Sequence, residues 1–365
     1  VKVVIVSKAL VRGTYQRMLE ELVQLGNIDL TVISPPSWKE GGSVLPLERR
    51  FTRGYELLVT PIVFNGRYHL HFYPRLAGLL GRLRPDIVHV DEEPYNLATW
   101  LALRAAKSCD ARRVFYTWQN IYRSLPLPFS RIEQANYALA AGAIAANADA
   151  EAVLRRKGFV KPVWIIPPGL DPDLYQPATN PPNGSFEVGF VGRLVPEKGV
   201  DLLIRACQRL VPPWHLSIVG DGEEKPALER LAASLGVRDK ITFAAAVPSI
   251  EVPALLHRLN VVVLPSRSLP NWREQFGRIL MEAMACEVPV IGSTCGEIPR
   301  VIGDAGLVFP ENDGNALGEK LATLQRDADL RQRLGKAGRE RVLQRFTHES
   351  VAEQTLAVYR FVATS

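Results

Sequence analysis

Residues 186–200 read Phe186-Glu187-Val188-Gly189-Phe190-Val191-Gly192-Arg193-Leu194-Val195-Pro196-Glu197-Lys198-Gly199-Val200. An apolar run ends in Gly192, a polar loop follows, and helical spacing then runs from Val200 to Leu210. Glycine permits close approach to the backbone, and a helix N-terminus offers unpaired N–H groups to an anion. Arg193 and Lys198 bracket the loop and are both placed to reach a diphosphate, arginine as a two-pronged donor and lysine as a point charge. A solvated turn with two surface cations would read the same way at this stage.

The strand–loop–helix unit repeats in both directions. Downstream, strands are expected at His215–Val219, Ile241–Phe243, Val261–Leu264 and Val288–Gly292. Helices are expected near Pro226–Leu235, Glu251–Leu259 and Phe276–Cys286, with a final helical region from Asn315. Upstream, Val1–Val6, Ile28–Ile33, Asp86–Val90 and Arg113–Tyr116 read as strands, and Thr14–Leu25 and the Ala-rich Glu133–Ala146 as helices. Such alternation implies parallel sheets covered by helices. The proline-rich stretch Val163–Pro177 breaks the rhythm as an interdomain connection, and Asn180–Ser185 is a further turn-rich segment. The expected fold is therefore α/β, two Rossmann-like doubly wound domains with a cleft between them. Ligands would bind at the carboxyl ends of the strands. The domains are residues 1–170 and 171–345, with a helix over 346–365 that packs back on the first.

Composition agrees. The chain has 365 residues, 47% of them apolar and 22% charged, which suits two globular domains and excludes a disordered chain, a collagen or a coiled coil. No apolar run is long enough to span a membrane, Val1–Val6 reads as a buried strand rather than a signal peptide, and the four cysteines form no CxxC pair. A reducing, cytoplasmic setting follows. Residues 1–170 hold 22 Lys and Arg against 14 Asp and Glu, a net charge of +8. That excess suits an acidic substrate or the inner face of an anionic membrane. Nothing resembles a nucleic-acid motif.

A second stretch, Glu274-Gln275-Phe276-Gly277-Arg278-Ile279-Leu280-Met281-Glu282, places two carboxylates eight residues apart. Glu274 precedes a helix, and Glu282, nearly two turns in, projects to the same side as the helix start. A carboxylate accepts from two hydroxyls, so one suits a sugar and the other a ribose diol. A capping Glu and an unrelated surface Glu would give the same letters.

Taken together, GRLVPEKG, Gly220-Asp221-Gly222, EQFGRILMEAMACEVPVIGS, GEIPRVI and GDAGLVF resemble the retaining glycosyltransferases of family 4, which have the GT-B fold. The resemblance implies that residues 171–345 bind a UDP- or GDP-linked sugar. Arg193 and Lys198, beside Gly192, match the diphosphate-binding pair. Glu282 matches the ribose carboxylate and Glu274 the one that contacts the donor sugar. Phe276 and Gly277 would meet sugar or phosphate through their N–H groups, Val247 lies where the base is held, and Gly13 lies where the first domain approaches the β-phosphate. The family often carries a histidine where this chain has Tyr116-Thr117-Trp118-Gln119-Asn120. Gln119 supplies a neutral hydrogen bond there, and no proton near pH 7.

The implied activity is hexosyl transfer with retention, in polysaccharide or glycolipid biosynthesis, to a hydroxyl of a glycan, lipid-linked or small-molecule acceptor. No cofactor is expected, and no divalent metal. The alternatives are a degenerate sugar-nucleotide binder without turnover and a nucleotide-sugar epimerase. Asp91, Glu92 and Glu93, after the strand that ends in Val90, and Trp118 are candidates for the acceptor. His69 and His71 read as ordinary loop or strand histidines. Leu76, Leu79, Leu80 and Leu83 form one helical face, which suits a helix covering the sheet or one lying on a membrane surface.

Overall fold

The computed structural model describes residues 1–179, 182 and 184–364. Part of the turn-rich segment, Asn180, Pro181 and Asn183, lies outside the described residues. The chain divides into two compact units, Val1–Gly169 with the C-terminal segment from His348, and Leu170–Thr347.

The first unit holds strands β1 (Lys2–Val6), β2 (Asp29–Ser34), β3 (Ser37–Glu40), β4 (Ser43–Pro46), β5 (Glu56–Val59), β6 (Ile87–Val90), β7 (Arg112–Thr117), β8 (Gly142–Ala145) and β9 (Val163–Ile165). Its helices are α1 (Arg17–Gly26), α2 (Leu76–Leu83), α3 (Leu97–Lys107), α4 (Phe129–Leu139) and α5 (Ala148–Arg156). Seven strands form a parallel sheet in the order β5-β2-β1-β6-β7-β8-β9, and β3 and β4 make a separate antiparallel hairpin. Val3, Val4, Val6, Ile87, Val88 and Val90 are fully buried, the continuous apolar run that a sheet covered on both faces requires. The leucine face of α2 lies on this core, with Leu76 and Leu80 buried and Leu79 and Leu83 packed beside them.

The second unit holds β10 (Phe186–Val191), β11 (Trp214–Val219), β12 (Ile241–Ala244), β13 (Val261–Leu264), β14 (Val290–Ser293) and β15 (Leu307–Phe309). Its helices are α6 (Val200–Cys207), α7 (Lys225–Ser234), α8 (Val252–Leu256), α9 (Arg278–Ala285), α10 (Ile298–Ile302), α11 (Gly314–Arg326) and α12 (Ala328–Arg345). The sheet is parallel in the order β12-β11-β10-β13-β14-β15. In each sheet the first strand lies between neighbours reached in opposite directions, β2 and β6 beside β1, β11 and β13 beside β10. Loops leaving such a switch point diverge and open a crevice.

Several expectations need correction. Residues 142–145 are not helical; they form β8, where Gly142 accommodates the ring of Trp164, whose Cζ3 would lie 2.5 Å from any added Cβ. Small residues mask a strand buried on both faces. Val163–Ile165, read as connection, is the edge strand β9, and β3, β4, β5 and β15 were not anticipated. The second unit also extends past residue 345. Phe346 packs edge-to-face on Phe276 at 5.6 Å, and its carbonyl accepts the Leu170 N–H at 2.8 Å.

The C-terminal helix, His348–Thr364, belongs to the first unit. Leu356 sits over Gly26, Phe361 meets Trp164 edge-to-face at 5.3 Å, and the Tyr359 hydroxyl lies 2.8 Å from His89 Nδ1. His89 Nε2 is buried with no hydrogen-bond partner. Burial holds the imidazole neutral, down to about 4. A group that charges less readily when folded gives its full stabilisation above its unfolded value near 6.5 and loses it as pH falls toward 4. The stability advantage of wild type over His89→Gln should therefore shrink over that interval, by up to about 1.4 kcal/mol per pH unit. Urea denaturation of both proteins between pH 7 and pH 4 checks this. A difference independent of pH would mean that His89 titrates normally.

Candidate active site

At the switch point of the second unit, β10 leads through Gly192 into a 3-10 turn, Pro196–Lys198, and Gly199 caps α6 with a φ of 65°. Lys198 Nζ donates to Glu274 Oε2 at 2.5 Å, and Ser266 Oγ donates to the same oxygen at 2.9 Å. Lys198 also lies 5.1 Å from the Trp272 ring centroid. The main chain of Glu274 is tied to the loop after β14: its N–H points at Cys295 Sγ and its carbonyl accepts the Glu297 N–H at 3.1 Å. Two groups that the sequence assigned to different parts of one donor therefore bond each other directly. Arg193, on the same loop as Lys198, extends outward, 66% exposed and 3.7 Å from Glu197.

The Gly220-Asp221-Gly222 turn braces this loop from the side. A Cβ on Gly220 would come within 1.9 Å of the Gly192 carbonyl oxygen, so no other residue fits without moving the chain. Leu194 N–H donates to the Asp221 carbonyl, and Asp221 Oδ2 accepts Ala246 N–H at 3.0 Å. Val247, which follows, packs half-buried against the core.

Glu282 sits elsewhere than the spacing implied. Helix α9 begins at Arg278, so Glu282 is one turn in rather than two, and it takes Arg278 Nε at 2.9 Å. Burial pushes its carboxyl up, while Arg278 and the Tyr175 hydroxyl pull it back. Phe276 is a core residue, and Gly277 caps α9 with a φ of 77°.

At the switch point of the first unit the arrangement is similar but more enclosed. Glu92, 3% exposed, is paired with Lys8 Nζ and also accepts from His71 Nε2 at 3.3 Å, Asn96 Nδ2 at 3.4 Å and the Lys8 N–H at 3.3 Å. Burial raises its carboxyl, yet Lys8 and His71 hold it down to about 2. Both oxygens are engaged, which corrects its assignment to an acceptor: it is a buried counter-ion. Asp91 accepts Ser7 Oγ at 2.7 Å and is raised by burial. Glu93, which the sequence grouped with them, accepts Thr117 Oγ1 at 2.6 Å and the Trp118 N–H at 2.8 Å; burial lifts its carboxyl to about 7.

Gln119 follows directly. Its Oε1 accepts Lys157 Nζ at 2.9 Å, and Lys157 is paired with Glu133 at 2.7 Å, both nearly buried. An ammonium only donates, so the amide oxygen must face it and the amide N–H₂ is turned away. Neither Lys157 nor Glu133 carried a signal in the sequence, since they are 24 residues apart. Gly13 N–H donates to Glu48 Oε2 at 2.9 Å, so a carboxylate of the chain already holds the group expected at a phosphate.

Two family models match, one described as glycosyltransferase family 4 over residues 14–174, the other as glycosyl transferases group 1 over residues 173–341. A D-inositol 3-phosphate glycosyltransferase of Stackebrandtia nassauensis is 30% identical over 305 residues, 75% of this chain and 68% of that one. A GDP-mannose-dependent phosphatidylinositol monomannoside mannosyltransferase of Mycolicibacterium smegmatis is 33% identical over 190 residues, but the match spans only about half of each protein (48% and 50%). Among solved structures, a glycosyltransferase of Rickettsia africae superposes with a TM-score of 0.76 at 18% identity, covering 99% of this chain and 98% of that one. Anabaena HepE, solved with UDP, gives 0.74 at 17% identity, covering 99% and 100%. The chain belongs to glycosyltransferase family 4 and has the GT-B fold.

Proposed function

We propose that this protein transfers a hexose-type sugar from a UDP- or GDP-linked donor to a hydroxyl of a glycan, lipid-linked or small-molecule acceptor, with retention and without a metal. The observation that carries this reading is the Lys198–Glu274–Ser266 cluster at the switch point of the second unit, beside the start of α6. The relatives support it: one is named for GDP-mannose, and HepE is solved with UDP-glucose as well as UDP.

In this reading the bond from the anomeric carbon to the diphosphate oxygen breaks and its electron pair leaves with the diphosphate. Lys198 and Arg193 offset the negative charge that develops there, the kind of fixed electrostatic stabilisation that contributes most in many enzymes. The acceptor oxygen bonds the anomeric carbon on the same face, and its proton passes to a phosphate oxygen. Glu274 accepts hydroxyls of the donor sugar, and Glu282 the ribose hydroxyls. The first unit holds the acceptor, with the Gln119 amide as a donor.

Calorimetric titration with UDP, GDP and ADP tests the donor site. One of them should bind, Arg193→Ala should weaken it, and Glu282→Ala should cost about 1–3 kcal/mol, the range for a hydrogen bond to a charged group. Absence of binding by all three would sink the donor reading. Glu274→Gln separates turnover from affinity. It should keep nucleotide binding close to wild type and lower sugar release from the matching nucleotide sugar about a hundredfold, the loss seen when one electrostatic contact to a transition state is removed. Equal losses in both quantities would make Glu274 a structural group only.

A further inference from the structure

The motif His69-Leu70-His71 is left unexplained by this reading, and the structure separates its two imidazoles. His71 is buried and directs Nε2 to Glu92 and Nδ1 to the carbonyl oxygens of Tyr68 and Arg67. His69 is exposed, with its ring between Tyr95 and Phe129, 5.2 and 5.3 Å away by ring centroids. We propose that His69 is an acceptor-binding residue, whose Nε2 receives a hydroxyl of a sugar or polyol seated against Tyr95 and Phe129. The proposal rests on the transferase reading above and names a group that contacts the acceptor.

The assignment follows from a chain of obligatory hydrogen-bond roles. Glu92 is the counter-ion of Lys8, and a carboxylate only accepts. Asn96, 2% exposed, therefore turns its Nδ2 to Glu92 Oε2, at 3.4 Å, and its Oδ1 to His69 Nδ1, at 3.3 Å. An amide oxygen only accepts, so the proton is on His69 Nδ1. In a neutral imidazole the other nitrogen then carries a lone pair. The His69 carbonyl accepts the Leu97 N–H at 3.0 Å, which fixes the residue to the first turn of α3. The result is an oriented acceptor atom on an exposed ring with aromatic walls and a buried support. Apolar walls with a few placed polar groups are the usual make-up of a small-molecule site.

The neighbourhood completes the argument. Lys157 Nζ lies 5.8 Å from the centroid of Tyr95, the same ring that flanks His69, and it is Lys157 that turns the Gln119 amide. Gln119 thus presents a donor and His69 an acceptor, and Lys157, which holds the first, and the ring of the second both lie against Tyr95. A polyol, whose hydroxyls both accept and donate, satisfies both. The imidazole missing at position 119 is in this way supplied from a different loop, 50 residues earlier in the chain.

The test is NMR of the full chain with labelled histidine, titrated with myo-inositol and with methyl α-D-glucopyranoside. In wild type His69 should be in the Nδ1–H tautomer, and its ring signals should move saturably with at least one of the two. His69→Ala should weaken that binding tenfold or more, as read from the Tyr95 ring signals. Asn96→Leu should release the tautomer and weaken binding similarly; should Asn96→Leu fail to fold, the wild-type tautomer and His69→Ala still decide. An Nε2–H tautomer, no response of His69 to either probe, or affinity unchanged in His69→Ala overturns the proposal. UDP and GDP titrated into the same samples separate the two readings. Nucleotide binding with a silent His69 removes only this inference, whereas absence of both responses removes the transferase reading with it.

Discussion

Lys198 and Glu274 meet with only 14% and 10% of their side chains exposed. Taking two opposite charges out of water costs several kcal/mol per ion, and their attraction repays it only when geometry is good and the remaining lone pairs are filled. Here Ser266 supplies a second donor to the same oxygen, and the loop after β14 holds the main chain on both sides of Glu274. The lysine is placed by the 3-10 turn that ends at Gly199, and that turn is placed by the close contact of Gly192 with Gly220. The path of residues 265–277 thus depends on glycines in two other loops, because an unpaired Glu274 would be left with an uncompensated charge.

The first unit repeats the device with a different outcome. A lysine from the loop after the first strand, Lys8, meets a glutamate from the loop across the switch point, Glu92. The pairing of Lys198 with Glu274 has the same topological placement, in the loops after β10 and β13. Divergent loops at a strand-order reversal bring such side chains together whatever else the domain does. In the first unit the pair has been covered: Trp38 and Tyr68 lie within 5.4 and 5.7 Å of the Lys8 ammonium, and His71 and Asn96 fill the lone pairs of Glu92. Its charge therefore acts through others, fixing Asn96 and, beyond it, His69.

Much of this organisation was legible in the letters. Strands such as Val3–Val6 and Val261–Leu264 are unbroken apolar runs, and a run of that length bounded by glycine or a polar loop has few other readings. Leu76, Leu79, Leu80 and Leu83 marked one face of α2 because helical spacing is a local property. Other elements left no such trace. Strand β8 is written mostly in glycine and alanine because Trp164 crowds it, and β5 and β9, at the sheet edges, are only four and three residues long, too short to show a period. The candidate residues divide in the same manner: Lys198 and Glu274 stood out within their motifs, whereas Lys157, Glu133 and Asn96 are ordinary letters until the fold gives them partners.

The sequence by itself determined the alternation of strands and helices, the two-part division of the chain and the family, since each of these rests on spacing within a few tens of residues. Only the tertiary structure decided which polar groups are free to meet a ligand. Glu92 and Glu274 are both glutamates in loops after apolar strands, and nothing local distinguishes them. One has become a saturated counter-ion and the other an element of the candidate donor site because of the hydrogen-bond partners that the fold brings to each, from 4 to 84 residues away in the first case and 8 to 76 in the second. A side chain's donors and acceptors are satisfied in space, and only the packed chain fixes which atoms stand within 3 Å of one another.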